Sequence, residues 1–513
     1  MGSEMLYRHT GVVLVRATTD PGGLDLPEDM DLHADNSMVE SGRAWLARLW
    51  QRGEVRAALR VASPVLSRQI DAVLGDGHID FRQLRRVIVA TCSYLLRWQR
   101  RPTPFGLFAG VAAASVGDEP TVWFGQDHRV VVRADMQWLS GLIDGLEQHP
   151  GLLPRLHVVV NSAGFVRGDR FVAPVRLSDA QPGREASLEI SVRHTRPVRA
   201  ALANAAEPVR FGELAGRLCA EFPAASPDKI DALLAELVAR HILLTRLRAP
   251  MTTVDGLAHL VEQLAAVGGA DLPDVADLLK EFTAIHGELS HHSRSVFPSE
   301  IDPTIEGVAE RMRAVCDTAD HTVDHVLVVD VELDCRLTVP DTVMREAEAA
   351  ATVLLRLTPN PFGSAAWKDF HARFRDRYGA GAVVPVRDVV ADSGLGLPTG
   401  FLGAPRGHAV RALAERDEKL LALVQQAVFD GRGEIELTEP VIRGLAVGDH
   451  TEMIPPPRVE LAFQLHAACP DALARGQFQL WVTGAPRAAS SMAGRSAYLL
   501  PEVDQRLLAD SYT

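Results

Sequence analysis

Apolar residues recur at helical spacing through one long segment of the chain, from Phe81 to Trp98. Six of its residues fall on a single face of a helix: Leu84, Val87, Ile88, Thr91, Leu95 and Trp98. Pro102 disfavours the α conformation at the residue before it, so we expect the helix to end near Arg101. The same reasoning predicts other helices over Trp45–Leu59, Pro64–Leu74, Asp341–Leu357 and Leu413–Phe429.

Short β-branched runs between these segments predict strands. The first is Gly11–Arg16, and Thr121–Phe124 with Arg129–Arg133 predicts a hairpin. A buried strand is expected at Val326–Val329. Three more are predicted late in the chain, over Glu434–Leu437, Arg458–Ala467 and Gln477–Thr483.

Residues 156–250 have a pattern of their own. Strands dominate up to Val192, and three helical segments follow, ending in the short apolar run that begins at Ile242. A helix followed by such a run is typical of a winged helix. We therefore predict a mixed α/β (α+β) chain of several domains, in which mixed sheets pack against helices and a winged helix is inserted.

Composition narrows the functional classes. The chain has 513 residues and a net charge of −13, which argues against a general nucleic-acid binder. It contains no apolar run of roughly 18 residues, so no membrane helix is expected. Its five cysteines form no Cys-x-x-Cys pair, which favours a reducing, cytoplasmic compartment and argues against a zinc site. Arginines nevertheless crowd the helix that ends near Arg101.

The segment at the end of this helix is the strongest chemical signal. Arg97 and Arg101 lie one turn apart and can point at the same object. Thr103 lies between two prolines and adds a hydroxyl on a stiff backbone. Two guanidiniums and a hydroxyl suit a phosphate or a carboxylate. The alternative is a solvated cationic helix end followed by an ordinary turn.

The sequence motif at 97–110 resembles the signature of the lantibiotic dehydratase family, in its N-terminal glutamylation module. It reads Arg-x-x-x-Arg-x-Thr-Pro-Phe-Gly-Leu-Phe-Ala-Gly. The resemblance implies transfer of glutamate from glutamyl-tRNA to Ser and Thr side chains of a ribosomally made precursor peptide. It divides the chain into residues 1–155 and 251–513 of the glutamylation module, with a winged-helix element at 156–250 that recognises the leader peptide.

Further site residues follow from this resemblance. Beside Arg97, Arg101 and Thr103, it implies catalytic roles for Arg16, Asp135, Asp330 and Arg495, and Asp334 is a rival to Asp330. Each has a structural alternative, because strand ends and turns carry such residues and aspartate is a favoured helix N-cap. The arginines predicted to bind tRNA are Arg82, Arg85, Arg86 and Arg100. No metal and no cofactor beyond the glutamyl-tRNA co-substrate is expected.

Family members usually continue well beyond the position of Thr513 with an elimination module, which has no counterpart in this sequence. The expected partners are therefore glutamyl-tRNA, a precursor peptide with its leader, and separate elimination or cyclase enzymes; a homodimer is compatible with the sequence. Two alternative functions remain open. One is a peptide ligase that adds an amino acid from aminoacyl-tRNA to a peptide C-terminus, and the other is a non-catalytic scaffold that binds the leader.

Overall fold

A computed structural model describes most of the chain. The described residues are 5–27, 30, 35–75, 81–174, 189–293, 295–297, 304–317, 325–361, 363–391, 393–399, 414–448, 455–485 and 492–512. Every structural statement below refers to these residues.

Eighteen α-helices are described. They are α1 Asp35–Gln51, α2 Gly53–Ala62, α3 Pro64–Leu74, α4 Phe81–Arg100, α5 Met136–Glu147, α6 Arg196–Asn204, α7 Phe211–Glu221, α8 Pro227–Ala239, α9 Gly256–Ala266, α10 Pro273–His292, α11 Thr304–Asp317, α12 Asp341–Arg356, α13 Ala365–Tyr378, α14 Val386–Val390, α15 Glu415–Phe429, α16 Glu439–Leu445, α17 Pro470–Ala474 and α18 Glu502–Asp510.

Fifteen strands accompany them. They are β1 Val13–Thr18, β2 Ala109–Val116, β3 Thr121–Phe124, β4 His128–Ala134, β5 His157–Val160, β6 Phe165–Arg167, β7 Arg170–Pro174, β8 Glu189–Arg193, β9 Val209–Arg210, β10 Leu243–Thr245, β11 Val296–Phe297, β12 Leu327–Glu332, β13 Cys335–Val339, β14 Ala462–His466 and β15 Gln479–Gly484. The mixed α/β fold class predicted from the sequence is confirmed.

A seven-stranded mixed sheet lies at the centre, in the order β11-β4-β12-β2-β13-β3, and β1 pairs with β2. β12 and β13 both run parallel to β2, whereas β4 is antiparallel to β12 and β3 is antiparallel to β13. The predicted hairpin of Thr121–Phe124 with Arg129–Arg133 is therefore wrong. β3 pairs with β13, and β4 pairs with β12. β3 and β4 therefore run in the same direction and do not pair with each other.

The signature helix α4 fixes the start of β2. The six residues predicted to share a face are the six that the structure buries. At the end of this face, the indole of Trp98 stacks on Phe108 with ring centroids 5.0 Å apart and donates a hydrogen bond of 3.0 Å to the Thr19 hydroxyl. Burial of this aromatic pair holds the end of α4 against the first residues of β2.

Two signature glycines are required by this packing. Gly106 has φ +55°, a left-handed conformation that L side chains rarely adopt. A Cβ at Gly110 would lie 2.6 Å from the Val331 carbonyl oxygen, so only glycine lets β2 approach β12 this closely. The glycines thus place the end of the signature at the centre of the sheet.

The two faces of the sheet are covered differently. The helices and one face form the main core, in which Trp98, Trp138 and Phe282 are fully buried. On the opposite face, Val111 of β2 packs with Leu499, Leu500 and Leu508 in a smaller core. The C-terminal residues therefore cover the sheet face on which Val111 lies.

Residues 157–245 form two three-stranded sheets and three helices. One sheet has the order β10-β5-β9 and the other β6-β7-β8. Their helices α6, α7 and α8 share the main core with α5 and α9. The strand pattern and the three helices predicted for this part of the chain are present, and the proposed division at 156 and 250 stays a prediction.

Some predicted elements need correction. The helix expected over Trp45–Leu59 is two helices, α1 and α2, interrupted at Arg52, whose φ of −75° and ψ of 115° are extended. Glu434–Leu437 is not a strand but an irregular segment that leads into α16. The strand predicted over Arg458–Ala467 is shorter and begins at Ala462. No described helix is both long and apolar enough to cross a membrane.

Candidate active site

The corner after α4 places Arg97 on an aromatic ring. Phe105 folds back so that its ring centroid lies 4.4 Å from the Arg97 guanidinium carbon. Stacking occupies the flat face of a guanidinium and leaves its N–H edge for hydrogen bonds. The buried Nε of Arg97 has no hydrogen-bond partner in the described part of the chain. Within the described residues, the arrangement therefore holds a stacked cation whose Nε donor is unpaired.

Arg101 and Thr103 lie beside this arginine. The backbone N–H of Arg101 donates to the Arg97 carbonyl at 2.9 Å, which closes the last turn of the helix. Both side chains are exposed. The backbone hydrogen bond keeps Arg101 one turn from Arg97, and Thr103 follows two residues later in the chain.

The four arginines predicted to bind tRNA occupy the exposed face of α4. Arg82, Arg85, Arg86 and Arg100 are all exposed, and the helix contains no acidic residue. These arginines lie near the two ends of the helix, which is about 30 Å long, and the exposed residues between them are uncharged. Arg100 lies next to the corner that carries Arg97.

Arg16 lies close to the same corner. Thr18, two residues further along β1, donates a hydrogen bond to the Trp98 carbonyl, next to Arg97 in the chain. The Arg16 guanidinium donates to the Met492 carbonyl. Burial lowers the pKa of Arg16, the charge of Arg495 lowers it further, and Glu460 raises it. Arg16 and Arg495 are therefore close enough to interact.

Asp330 lies on the same face of the sheet as Arg16 and forms a compact polar cluster. Its Oδ2 accepts a hydrogen bond from Arg133 at 3.1 Å and another from the Tyr498 hydroxyl. The Arg133 guanidinium also donates to that hydroxyl at 2.9 Å and lies 4.2 Å above the Tyr498 ring. Burial, followed by the hydrogen bond to Asp330, raises the pKa of Tyr498.

The other two aspartates have backbone partners. Asp135 is the N-cap of α5, and its Oδ1 accepts from the Gln137 N–H at 2.7 Å. Asp334 lies in the turn between β12 and β13, where its Oδ2 accepts from the Asp127 N–H at 3.2 Å. Neither of these two carboxylates joins the cluster of Asp330.

One group of described residues has the donor types of a metal site: Asp144, Glu147 and His241. Arg248 already forms ion pairs with both carboxylates, and it donates to Glu147 Oε1 at 2.9 Å. Burial raises the pKa of Glu147, against the lowering effect of Arg248. The Arg248 guanidinium balances the charge of these carboxylates without a metal ion. We therefore assign Asp144, Glu147 and Arg248 as an ion-pair cluster between α5 and the residues that follow β10.

Three contributors to the site were not predicted from the sequence. Phe105 lies inside the signature at 97–110 and Arg133 ends a predicted strand, but their roles depend on ring and sheet geometry. Tyr498 follows Arg495 by three residues and has no sequence signal of its own. An arginine within the apolar strand β4 was the available hint for Arg133, since a charge there needs a partner.

The profile described as "Lantibiotic dehydratase, N terminus" matches residues 51–513. The chain belongs to this family. The subtilin biosynthesis protein SpaB of Bacillus subtilis is 25% identical over 315 residues, which are 61% of this chain and 29% of SpaB. The epidermin biosynthesis protein EpiB of Staphylococcus epidermidis is 21% identical over 328 residues, covering 63% of this chain and 32% of EpiB.

Solved structures agree with this assignment. The tRNA-dependent lantibiotic dehydratase MibB from Microbispora sp. 107891 has a TM-score of 0.80 and 28% identity, over 98% of this chain and 46% of MibB. The glutamylation domain TbtB from thiomuracin biosynthesis has a TM-score of 0.54 and 19% identity, over 90% of this chain and 56% of that chain, and supports the fold. The matched regions are thus about a third of the curated relatives and about half of the solved ones.

Replacing Asp135 separates its structural role from a chemical one. Because asparagine caps helices about as well as aspartate, Asp135→Asn should keep the thermal stability of the wild type. Asp135→Ala leaves the N-terminus of α5 uncapped and should cost about 0.5–2 kcal/mol in unfolding free energy. Thermal melting of both variants measures this, and equal stability of Asn and Ala would contradict the cap. Lost activity in a stable Asn variant would show that the charge itself is needed.

Proposed function

We propose that this chain transfers glutamate from glutamyl-tRNA to Ser and Thr side chains of a ribosomally made precursor peptide, as the first step of dehydroamino acid formation. The observation that carries the proposal is the Arg97 corner, where the guanidinium stacks on Phe105 and its Nε has no hydrogen-bond partner among the described residues, next to the exposed Arg101 and Thr103. The names of MibB, which is tRNA-dependent, and of the TbtB glutamylation domain support the same reaction.

The reaction needs positioning more than an added activator. An aminoacyl-tRNA is already an ester, so the substrate hydroxyl attacks its carbonyl carbon and forms a new ester. The bond to the terminal ribose oxygen breaks, and that oxygen ends with a proton. Guanidiniums can hold the phosphate or the glutamyl carboxylate, and Thr103 or a guanidinium can donate to the developing oxyanion. We propose no metal and no cofactor for this step.

The exposed face of α4 is the surface we propose for tRNA. Its arginines lie near both ends of the helix, so phosphates bound at Arg82, Arg85 and Arg86 and at Arg100 would direct the aminoacyl end of the tRNA to Arg97. Such contacts read shape and phosphate rather than sequence, and they weaken with salt. Since charged tRNA is cytoplasmic, the proposal places the reaction in the cytoplasm.

The leader peptide is proposed to add a strand to the β6-β7-β8 sheet. Both outer strands of this sheet pair on one side only among the described residues. An extended peptide can pair with such an edge through its backbone. Elimination or cyclisation enzymes would act on the ester product, and a homodimer is compatible with the fold.

Two other functions remain as outcomes of experiment. A peptide ligase that uses aminoacyl-tRNA would need the same tRNA face but would modify a peptide C-terminus. A leader-binding scaffold would need the sheet edge but not the stacked guanidinium of Arg97. The Arg97 corner therefore favours an enzyme that handles an anionic substrate.

The reaction itself can be tested by mass spectrometry. The protein, charged glutamyl-tRNA and a precursor peptide should give a peptide that carries glutamyl esters on Ser or Thr. A modified peptide C-terminus would indicate the ligase. An unmodified peptide that still binds the protein would indicate the scaffold.

The corner can be tested with Arg97→Lys and Arg101→Lys. Lysine keeps the charge but loses the planar fork, so a site that uses the fork should lose about 1.5–3 kcal/mol, or roughly 10–150-fold in transfer rate. Single-turnover glutamyl transfer measures the effect, and leader affinity should not change. Arg217→Lys, on the exposed face of α7, is the matched control. Wild-type transfer rates in both variants would contradict the anion site and favour the alternative interpretation, a solvated cationic helix end.

The leader site can be tested without deleting a segment that shares the main core. The two-residue turn at Gly168–Asp169 pairs Arg167 with Arg170, so the N–H of Val166 points away from β7. The hydrogen bond from His194 to the Asp169 carbonyl places the N–H of Ser191 on the outer side of β8 by the same alternation.

Proline at either position removes an outward donor and leaves the backbone ladder intact, and Ser191→Pro also removes the hydroxyl that accepts from Arg170 Nε at 2.8 Å. We expect Val166→Pro or Ser191→Pro to weaken leader binding at least about tenfold, according to which edge is used. Fluorescence anisotropy with a labelled leader measures the affinity, and melting temperature controls for folding. Unchanged affinity in both folded variants would exclude this sheet as the leader site.

A further inference from the structure

The segment from Met492 to Tyr498 is held at both ends by charged side chains. At its start, the Met492 N–H donates to Glu460 Oε2 at 2.8 Å, and the Met492 carbonyl accepts from Arg16. One residue is thus fixed through both of its backbone polar groups. At its end, Tyr498 is held by Arg133 and Asp330, which lie on the central sheet.

The contacts of Tyr498 are specific in direction. Its hydroxyl donates to Asp330 and accepts from Arg133, while the Arg133 guanidinium covers its ring at 4.2 Å. Arg133 is itself held by the Val254 carbonyl at 3.1 Å. Apolar burial of the next residue, Leu499, would anchor the segment to the sheet, but it would not fix the rotation of the backbone.

The geometry of the segment links Tyr498 to Arg495. Residues 494–499 form a 3₁₀-helix, in which side chains three residues apart eclipse one another. Arg495 and Tyr498 therefore project on the same side. The contacts that orient the tyrosine also orient the arginine, which is exposed and close enough to Arg16 to lower its pKa.

We propose that Tyr498 is a positioning residue: with Arg133 and Asp330 it clamps the Met492–Tyr498 segment so that Arg495 is presented at the active site. The proposal rests on the glutamyl transfer proposed above. It assigns Asp330 to holding this clamp, because the carboxylate already accepts from both Arg133 and Tyr498. It likewise assigns Arg16 to the Met492 end, and it leaves Arg495 as the guanidinium that meets the substrate.

The test is Tyr498→Phe, which keeps the buried ring and removes only the hydroxyl. Tyr7→Phe is the matched control, since it removes a surface hydroxyl that donates to the Pro456 carbonyl at 3.2 Å. We expect Tyr498→Phe to lower the single-turnover transfer rate about tenfold or more, with unchanged leader affinity. Trypsin cleavage after Arg495, followed by mass spectrometry, should become roughly tenfold faster as the segment opens more often.

Asp330→Asn is a second variant and should accelerate the same cleavage, because a neutral amide binds the tyrosine and Arg133 more weakly. Faster cleavage with slower transfer supports the clamp. Slower transfer with unchanged cleavage would indicate that Tyr498 takes part in the reaction directly. Faster cleavage with unchanged transfer would indicate that the segment does not contribute to the reaction. Either result overturns the proposal, and so does a variant in which neither rate changes. If the wild type transfers no glutamate, the proposed function fails, and unchanged cleavage would separately remove the clamp.

Discussion

The close approach of β2 to β12 at Gly110 is the constraint on which the rest of the structure depends. A side chain at this position would meet the Val331 carbonyl oxygen at 2.6 Å. Because the backbones can meet there, the start of β2 reaches the centre of the sheet directly from the end of α4. The chemical corner at Arg97 is thereby fixed against the sheet, and Trp98 and Phe108 bury the joint.

Polar groups on the opposite face depend on the same sheet. Arg16, Arg133 and Asp330 come from three different strands, and each contacts the C-terminal segment. A charge that is partly removed from water needs a partner, and here the partners are backbone carbonyls, a tyrosine and a carboxylate. The mutual satisfaction of these groups explains why a short segment near the C-terminus is held where the substrate is proposed to bind.

The region predicted to contain a winged helix packs into the main core together with the helices that cover the central sheet. Its helices contribute to the main core, and Arg248 forms a buried ion pair with Glu147 of α5 as well as a partly exposed one with Asp144. Removing either partner of such a cluster would leave an uncompensated charge in a low-dielectric setting. The β6-β7-β8 edge proposed for the leader is therefore connected to the Arg97 corner through elements packed in the main core.

The sequence by itself determined the local features of this protein: the buried face of α4, its end before Pro102, the Asp135 cap and the arginines at 97 and 101. These depend on spacing and on neighbouring residues, which a linear pattern records. The sequence also indicated the family through its signature.

Tertiary structure alone decided which strands pair and which distant residues meet. The pattern at Thr121–Arg133 suits a hairpin, but β11 and β12 pair with the two edges of β4, and β13 pairs with β3, so β3 and β4 do not pair with each other. Tyr498 meets Asp330 across 168 residues. Such contacts form because burying apolar residues on both faces of one sheet lowers the free energy of the whole chain. No periodic pattern in the sequence around either residue predicts the pairing.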